Sequence, residues 1–446
     1  MSAPAPLLPD DPDPSVAELI AARPHLCLHA MDGLMLEGVP LAAIADALGT
    51  PAWVYGADTI RRRFRALRDA LAGLGADIHY AVKANDHLAV LRVLAAEGAG
   101  ADVVSEGELR RARLAGIAPG HIVFSGVGKT QAELRRAIGE DIAQINVESA
   151  EELDMLSALA DGLGRTARVA LRVNPDVDAG THAKITTGRA ENKFGIAYED
   201  AAALYARAAA LPGLRPVGLA MHIGSQILAA APFGAAYARG ADLVRGLRGR
   251  GLTVERFDCG GGLGIGYRDE PGGSPAALGG AIRAHLGGLG LRLMVEPGRW
   301  LVGPAGVLLS SVVLTKRTRQ RRFVVLDAAM NDLLRPSMYD AWHGIVPLSP
   351  VDAARAPVPA DIVGPVCESG DTFARNRALA ELAPGARVAI LDAGAYGSVM
   401  SSTYNARPLA AEAMVDGERW AVIRARQTPE QMWEAERIPD FLDGPG

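Results

Sequence analysis

The sequence predicts an α/β protein: a (β/α)8 TIM barrel followed by a second, mostly β C-terminal domain. Three observations carry that prediction. Between residues 78 and 300, short β-branched or apolar runs alternate with Ala-, Leu- and Arg-rich amphipathic runs, the pattern of βα units on a parallel sheet. Eight strand-like runs fall in this stretch, which suits the ~250 residues of a typical eight-fold barrel. Beyond Arg299, strand-like runs follow one another with no helical run between them. Periodicity carries no information on closure, so an open doubly wound sheet stands as the alternative to the barrel.

Along the chain, the opening MSAPAPLLPDDPDPSV is rich in Pro, Ala and Asp and predicts a disordered tail, drawn at 1–25. It has neither a basic n-region nor an apolar run of signal-peptide length. Residues 26–52 are expected to pack with the β domain, and PAWVYG to pair with it, which would tie the two ends of the chain together. The barrel is expected over 53–300. Its strands begin near Ile78, Ala101, Ile122, Gln144, Arg168, Val217, Val254 and Arg292. Asp86 and Asp200 read as helix N-caps and Gly213 as a helix stop. Residues 301–446 form the β-rich domain, with Asp416-Gly417 as a hairpin turn.

Composition narrows the function. Hydrophobic residues make up 49% and charged residues 22%, enough for a large core. The 46 basic residues against 51 acidic ones leave a net charge of −5, which excludes a dedicated nucleic-acid binder. Cys27, Cys259 and Cys367 are too few and too scattered for a disulfide framework or a CxxC metal site. A reducing, cytoplasmic location follows, with no metal and, lacking a run of ~18 apolar residues, no membrane span.

Barrels place their reactive groups at the C-terminal ends of strands and a phosphate site after strands 7 and 8. Lys83 ends strand 1 in YAVKAN, His222 ends strand 6 in MHIGSQ, Gly260-Gly261-Gly262 end strand 7, and Glu296-Pro297-Gly298-Arg299 end strand 8. Each has an ordinary reading: a snorkelling lysine, a packed core histidine, a plain turn, a Glu296–Arg299 ion pair. Each also has a chemical one. A lysine in an apolar mouth is expected to have a lowered pKa and to form a Schiff base. Glycine amides suit a phosphate, an acid suits a protonated ring nitrogen, and a histidine can stack on a ring. A dinucleotide fingerprint fails because position 265 is Ile265, and a P-loop ending in Gly128-Lys129-Thr130 fails because position 123 is Val123. Lysine, phosphate cradle, acid and histidine together describe a site for pyridoxal 5′-phosphate (PLP).

With these residues stand GTPAWVYG, ADVVSEGEL, LRVNPDVDAGTHAKITTG, NKFGI, HIGSQI, CGGGLG, MNDLLRPSMYDAWH, CESGD and AYGSVMSSTYNARP. In this order the chain resembles the fold-type III PLP-dependent decarboxylases over residues 30–420, specifically the branch acting on meso-2,6-diaminopimelate. The resemblance implies decarboxylation of that substrate to L-lysine and CO2, the last step of lysine biosynthesis. It implies that Lys83 carries the cofactor, His222 stacks on its ring and Glu296 pairs with the pyridine nitrogen. Ser225, Gly260, Gly261, Gly262, the Glu296-Pro297-Gly298-Arg299 backbone and Tyr396 would surround the phosphate. Arg299, Arg335 and Tyr339 would grip the distal carboxylate and Glu368 the distal amine, with Tyr396 also facing substrate. Cys367 would donate a proton across a head-to-tail homodimer, and Asp102 would support the lysine. A guanidinium suits a carboxylate by bidentate bonding, although Arg335 alone could equally be half of a surface ion pair and Cys367 alone an inert thiol. Ala329, Trp300 and Ser398 depart from the family pattern. The rivals are a decarboxylase of ornithine, arginine or D-lysine, a non-catalytic PLP-binding homologue, and a cofactor-free aldolase using Lys83.

Overall fold

A computed structural model describes residues 13–178 and 193–442. Eight parallel strands close into a barrel: β1 (Ala76–Ala81), β2 (Gly100–Val103), β3 (Ile122–Phe124), β4 (Gln144–Val147), β5 (Ala167–Asn174), β6 (Leu214–Ala220), β7 (Arg256–Asp258) and β8 (Arg292–Val295). Each pairs in parallel with the next, and β8 pairs with β1 through Leu293–Ala76 to Val295–Ile78, so no edge is left and the open-sheet alternative falls. The apolar runs read from sequence are buried here because a parallel strand is covered on both faces.

The second unit is a mostly β sheet in which β9 (Gly306–Arg317) is the hub. It pairs antiparallel with β10 (Arg322–Leu326) and β14 (Arg387–Ile390), and with the early strand Ala52–Gly56. The others are β11 (Ile345–Pro347), β12 (Pro357–Val363), β13 (Thr372–Ala380), β15 (Ala411–Asp416) and β16 (Arg419–Arg424). PAWVYG thus lies in this sheet, between β9 and β15, as expected, so residues 53–56 belong to the sheet and not to the barrel drawn at 53–300. Trp53 and Tyr55 face one apolar core with Leu308, while Val54 faces another with Val307 and Leu309. That period of two sandwiches the sheet between two cores. The hairpin at Asp416-Gly417 is present, with Gly417 at φ +64°.

Two local expectations need correction, the disordered tail and the Asp86 cap. The expected tail 1–25 contains a helix, Val16–Ala21, closed by a Ser15–Glu18 capping box, which offsets the lost backbone bonds at its start; residues 1–12 lie outside the described residues. The helix Leu88–Ala96 is capped by His87, whose Nδ1 accepts from Ala89 N–H, so Asp86 is not the cap. Asp200 holds the N-cap position of Ala201–Ala210 without a side-chain bond. Gly128-Lys129-Thr130 is structural: Thr130 caps a helix, and Lys129 is buried against Glu152 at 2.6 Å.

Candidate active site

Lys83 sits in a single 3-10 turn, Val82–Ala84, that continues β1. Its Nζ lies 2.8 Å from Oδ2 of Asp102, which is fully buried at the end of β2 and whose other oxygen has no partner. Burial pulls the lysine pKa down, but the Asp102 charge, helped by Tyr396 and Glu296, overturns it and holds the ammonium above its ordinary value. The lowered pKa expected from the apolar strand is therefore wrong: the deciding anion is on the neighbouring strand, 19 residues away in sequence.

Glu296, at the end of β8, is buried, and its pKa is raised by desolvation and then by the Asp102 and Asp258 charges. Asp258 ends β7, is fully buried, and has its pKa raised, first by desolvation. One amide serves both: Asn146 Nδ2 is 3.0 Å from Asp258 Oδ2 and 3.5 Å from Glu296 Oε1. Asn146 is on β4, not next to β7 in the ring, so these bonds cross the barrel lumen. Two carboxyls this close in a dry interior cannot both be ionised. Burial and the neighbouring anions hold both carboxyls above the usual range.

The glycines are there for close approach. A Cβ on Gly261 would lie 2.1 Å from the Glu296 carbonyl, and one on Gly262 2.5 Å from that of Gly224, while Gly260 has φ +67°. Glu296 N–H donates to Gly260 O at 2.8 Å, which joins the turn to the acid. Gly261 N–H donates to His222 Nδ1 at 3.1 Å, and burial, with Arg172 and Lys83, keeps the imidazole neutral far below its usual pKa. Pro297 O accepts from Ala81 N–H at 3.1 Å, and a Cβ on Gly298 would press on Ala84 at 3.0 Å, so strand 8 closes directly on the lysine turn.

Arg299 donates to Ser225 Oγ at 3.1 Å and to Tyr267 Oη at 2.7 Å, and its guanidinium lies 4.8 Å from the Tyr396 ring centre. Tyr396 comes from the β domain in left-handed backbone, φ +55°, an arrangement that costs of order 1 kcal/mol and is held by its N–H on Ala84 O at 2.7 Å. Arg335 starts the short helix Arg335–Tyr339, is buried, and lies 4.8 Å over the Tyr267 ring. Neither arginine has a carboxylate partner among the described residues, although both are more than nine-tenths buried. A buried pair of cations without a counter-ion is a site for an anion.

The structure thus gathers Lys83, Asp102, His222, Ser225, Gly260–Gly262, Glu296–Arg299, Arg335 and Tyr396 at one rim. Tyr339 is partly buried, close enough to Arg299 for its hydroxyl to raise that guanidinium's pKa. Cys367 and Glu368 are not part of the cluster: both are exposed on the β domain, where Cys367 N–H donates to Asn405 and Glu368 lines a cavity of about 300 Å3 with Asp361, Asp371 and Arg375. The motif at 171–188 lies partly outside the described residues. Sequence reasoning missed Asn146, Asp258, Tyr267 and His343. Polar residues inside barrel strands were the available signal for the first two. Of the departures, Trp300 is buried under Arg63 and donates to Gly273 O, Ser398 accepts from Tyr55, and Ala329 is buried, so each has a packing role.

Residues 57–303 match the family described as pyridoxal-dependent decarboxylase, pyridoxal binding domain. The chain is 49% identical over 414 residues to the diaminopimelate decarboxylase of Zymomonas mobilis, covering 92% of this chain and 98% of that one. It is 50% identical over 408 residues to that of Pseudomonas aeruginosa, covering 91% and 97%. Among solved structures, diaminopimelate decarboxylase from Helicobacter pylori in complex with L-lysine superposes with a TM-score of 0.86 at 41% identity, covering 89% and 99%.

Proposed function

Because the chain belongs to the pyridoxal-dependent decarboxylases, and among them to the diaminopimelate decarboxylases, we propose how its residues divide the work. The chain is a PLP-dependent lyase that converts meso-2,6-diaminopimelate to L-lysine and CO2, the closing step of lysine biosynthesis. Its residues fit the cofactor. An amine stands beside a carboxylate with a free oxygen, a buried acid has a raised pKa, and the glycine turn packs on the Gly224 carbonyl, next in sequence to Ser225. When bound, PLP supplies a carbonyl for amines and an electron sink for the pair left as CO2 departs.

Lys83 is the amine that holds the cofactor, and Asp102 keeps it protonated until binding. Glu296, whose pKa burial raises, would pass its proton to the pyridine nitrogen and remain as the carboxylate that holds that position cationic, which is what the sink requires. His222 offers an uncharged ring face, since its Nδ1 lone pair is taken by Gly261 N–H. Ser225 and the backbone of Gly260–Gly262 and Glu296–Arg299 surround the phosphate, with Tyr396 closing over them. Arg299 and Arg335, with Tyr339, bind the distal carboxylate, and the rim's burial excludes water from it. Cys367 protonates the substrate Cα and Glu368 binds the distal amine. Both are exposed on their own chain, which supports a head-to-tail homodimer in which each chain completes the other's site. No helix among the described residues is long and apolar enough to cross a membrane, in keeping with a cytoplasmic enzyme.

The observation that carries the substrate choice is the pair of buried arginines without a carboxylate. Ornithine has no second carboxylate to meet them, and leaving them unpaired in a dry site is costly. Purified protein with added PLP is expected to release CO2 and lysine from meso-diaminopimelate and to leave ornithine nearly untouched. Comparable rates on both would overturn the assignment.

A further inference from the structure

Tyr267 touches both arginines of the proposed carboxylate site. It follows the glycine turn in a loop whose backbone is fixed: Arg23 donates to its carbonyl at 2.6 Å, and its N–H donates to Glu270 at 2.8 Å. Its hydroxyl accepts from Arg299 at 2.7 Å while its ring lies 4.8 Å beneath the Arg335 guanidinium. Two guanidinium groups at low dielectric repel each other. A phenol between them answers both, because its oxygen accepts one N–H and its electron-rich face attracts the other cation.

Behind the ring stands His343, buried, with its ring centre 5.2 Å from that of Tyr267 and the two planes at 77°. Its Nδ1 is 2.7 Å from Leu391 O, a contact that needs the proton on Nδ1. Nε2 is then a lone pair, and it receives Arg335 Nη1 at 2.9 Å. Burial, followed by Arg335, keeps this imidazole neutral. Arg335 is therefore held from two sides, by an aromatic face and by an acceptor, and Arg299 is held by the hydroxyl of that same aromatic.

We propose that Tyr267, backed by His343, is the positioning residue that sets Arg299 and Arg335 at the spacing a substrate carboxylate needs, and so enforces the demand for a carboxylate at the far end of the diamine. This rests on the reading that these arginines bind that carboxylate. Tyr267 takes no part in the bond changes, so its loss weakens substrate binding and leaves the chemical step in place.

The test uses the full-length holoenzyme. Tyr267→Phe keeps the ring and removes the hydroxyl, and is expected to raise KM for meso-diaminopimelate about 10-fold with kcat within about 3-fold. Tyr267→Leu should raise KM further, and the visible absorbance of bound PLP should stay unchanged in both. Arg335→Met separates the two claims. If Arg335→Met leaves KM unchanged, the carboxylate reading fails. If Arg335→Met raises KM and Tyr267→Phe does not, or Tyr267→Phe lowers kcat at constant KM, the positioning role fails. Should the Tyr267 variants not fold, His343→Gln against His343→Leu decides: the glutamine, which still offers an acceptor to Arg335, must retain the lower KM.

Discussion

At the barrel rim the groups that would face the cofactor are largely buried and already matched, while the two arginines wait for an anion. Lys83 is 2.8 Å from Asp102, Glu296 and Asp258 share the Asn146 amide, and His222 accepts an amide hydrogen bond. On the β domain, Cys367 and Glu368 stand exposed on a loop between β12 and β13. The first arrangement is set before any ligand arrives, since charges in a dry interior act strongly and have no water to reorganise. The second gains such strength only when another surface covers it. The β domain is itself divided, because its Arg335 and Tyr396 are built into the rim of the same chain.

Three substitutions sharpen that contrast. Lys83→Ala removes the amine, and the visible absorbance of bound cofactor and the decarboxylation should both vanish, a loss on the order of 10⁴-fold or more. Retention of both would dissolve the rim as the reactive region. Cys367→Ala should keep the absorbance and slow turnover about 10²-fold or more, the contribution of a placed acid. Unchanged turnover would remove Cys367 from that role. Asp102→Asn should have the smallest effect. The anion is what raises the Lys83 pKa, so its loss lets the ammonium deprotonate at lower pH, and the pH midpoint of cofactor uptake by the apoenzyme, followed by absorbance, should move down by about one unit or more. An upward shift or none would show that Asp102 does not govern the lysine.

Much of this architecture was legible because the barrel's strands carry local signals. Each is a short apolar run, and the rule that reactive groups follow strand ends led to Lys83, His222, Gly260–Gly262 and Glu296 before any contact was known. What escaped was set by pairing across sequence distance. The lysine's charge state depends on Asp102 on the next strand. Asn146 and Asp258 meet through the lumen from β4 and β7, and nothing in either strand's own sequence announces the partner. Tyr267 and His343 are 76 residues apart and meet only because the β domain leans on the barrel loop. Of the two caps expected, Asp200 holds its position, whereas Asp86, the better cap former by type, is displaced by His87, which reaches the amide.

Whether rim and exposed loop serve one reaction from two chains is decided by mixing Lys83→Ala protein with Cys367→Ala protein after dissociation and reassociation. Each alone should be poorly active. Random pairing makes half of the dimers hybrids, each with one site built from an intact rim and an intact Cys367, so the mixture should recover about a quarter of the unmodified activity. Hybrid dimers that form but stay inactive would show that each chain uses its own Cys367 or none, and the shared site would be lost.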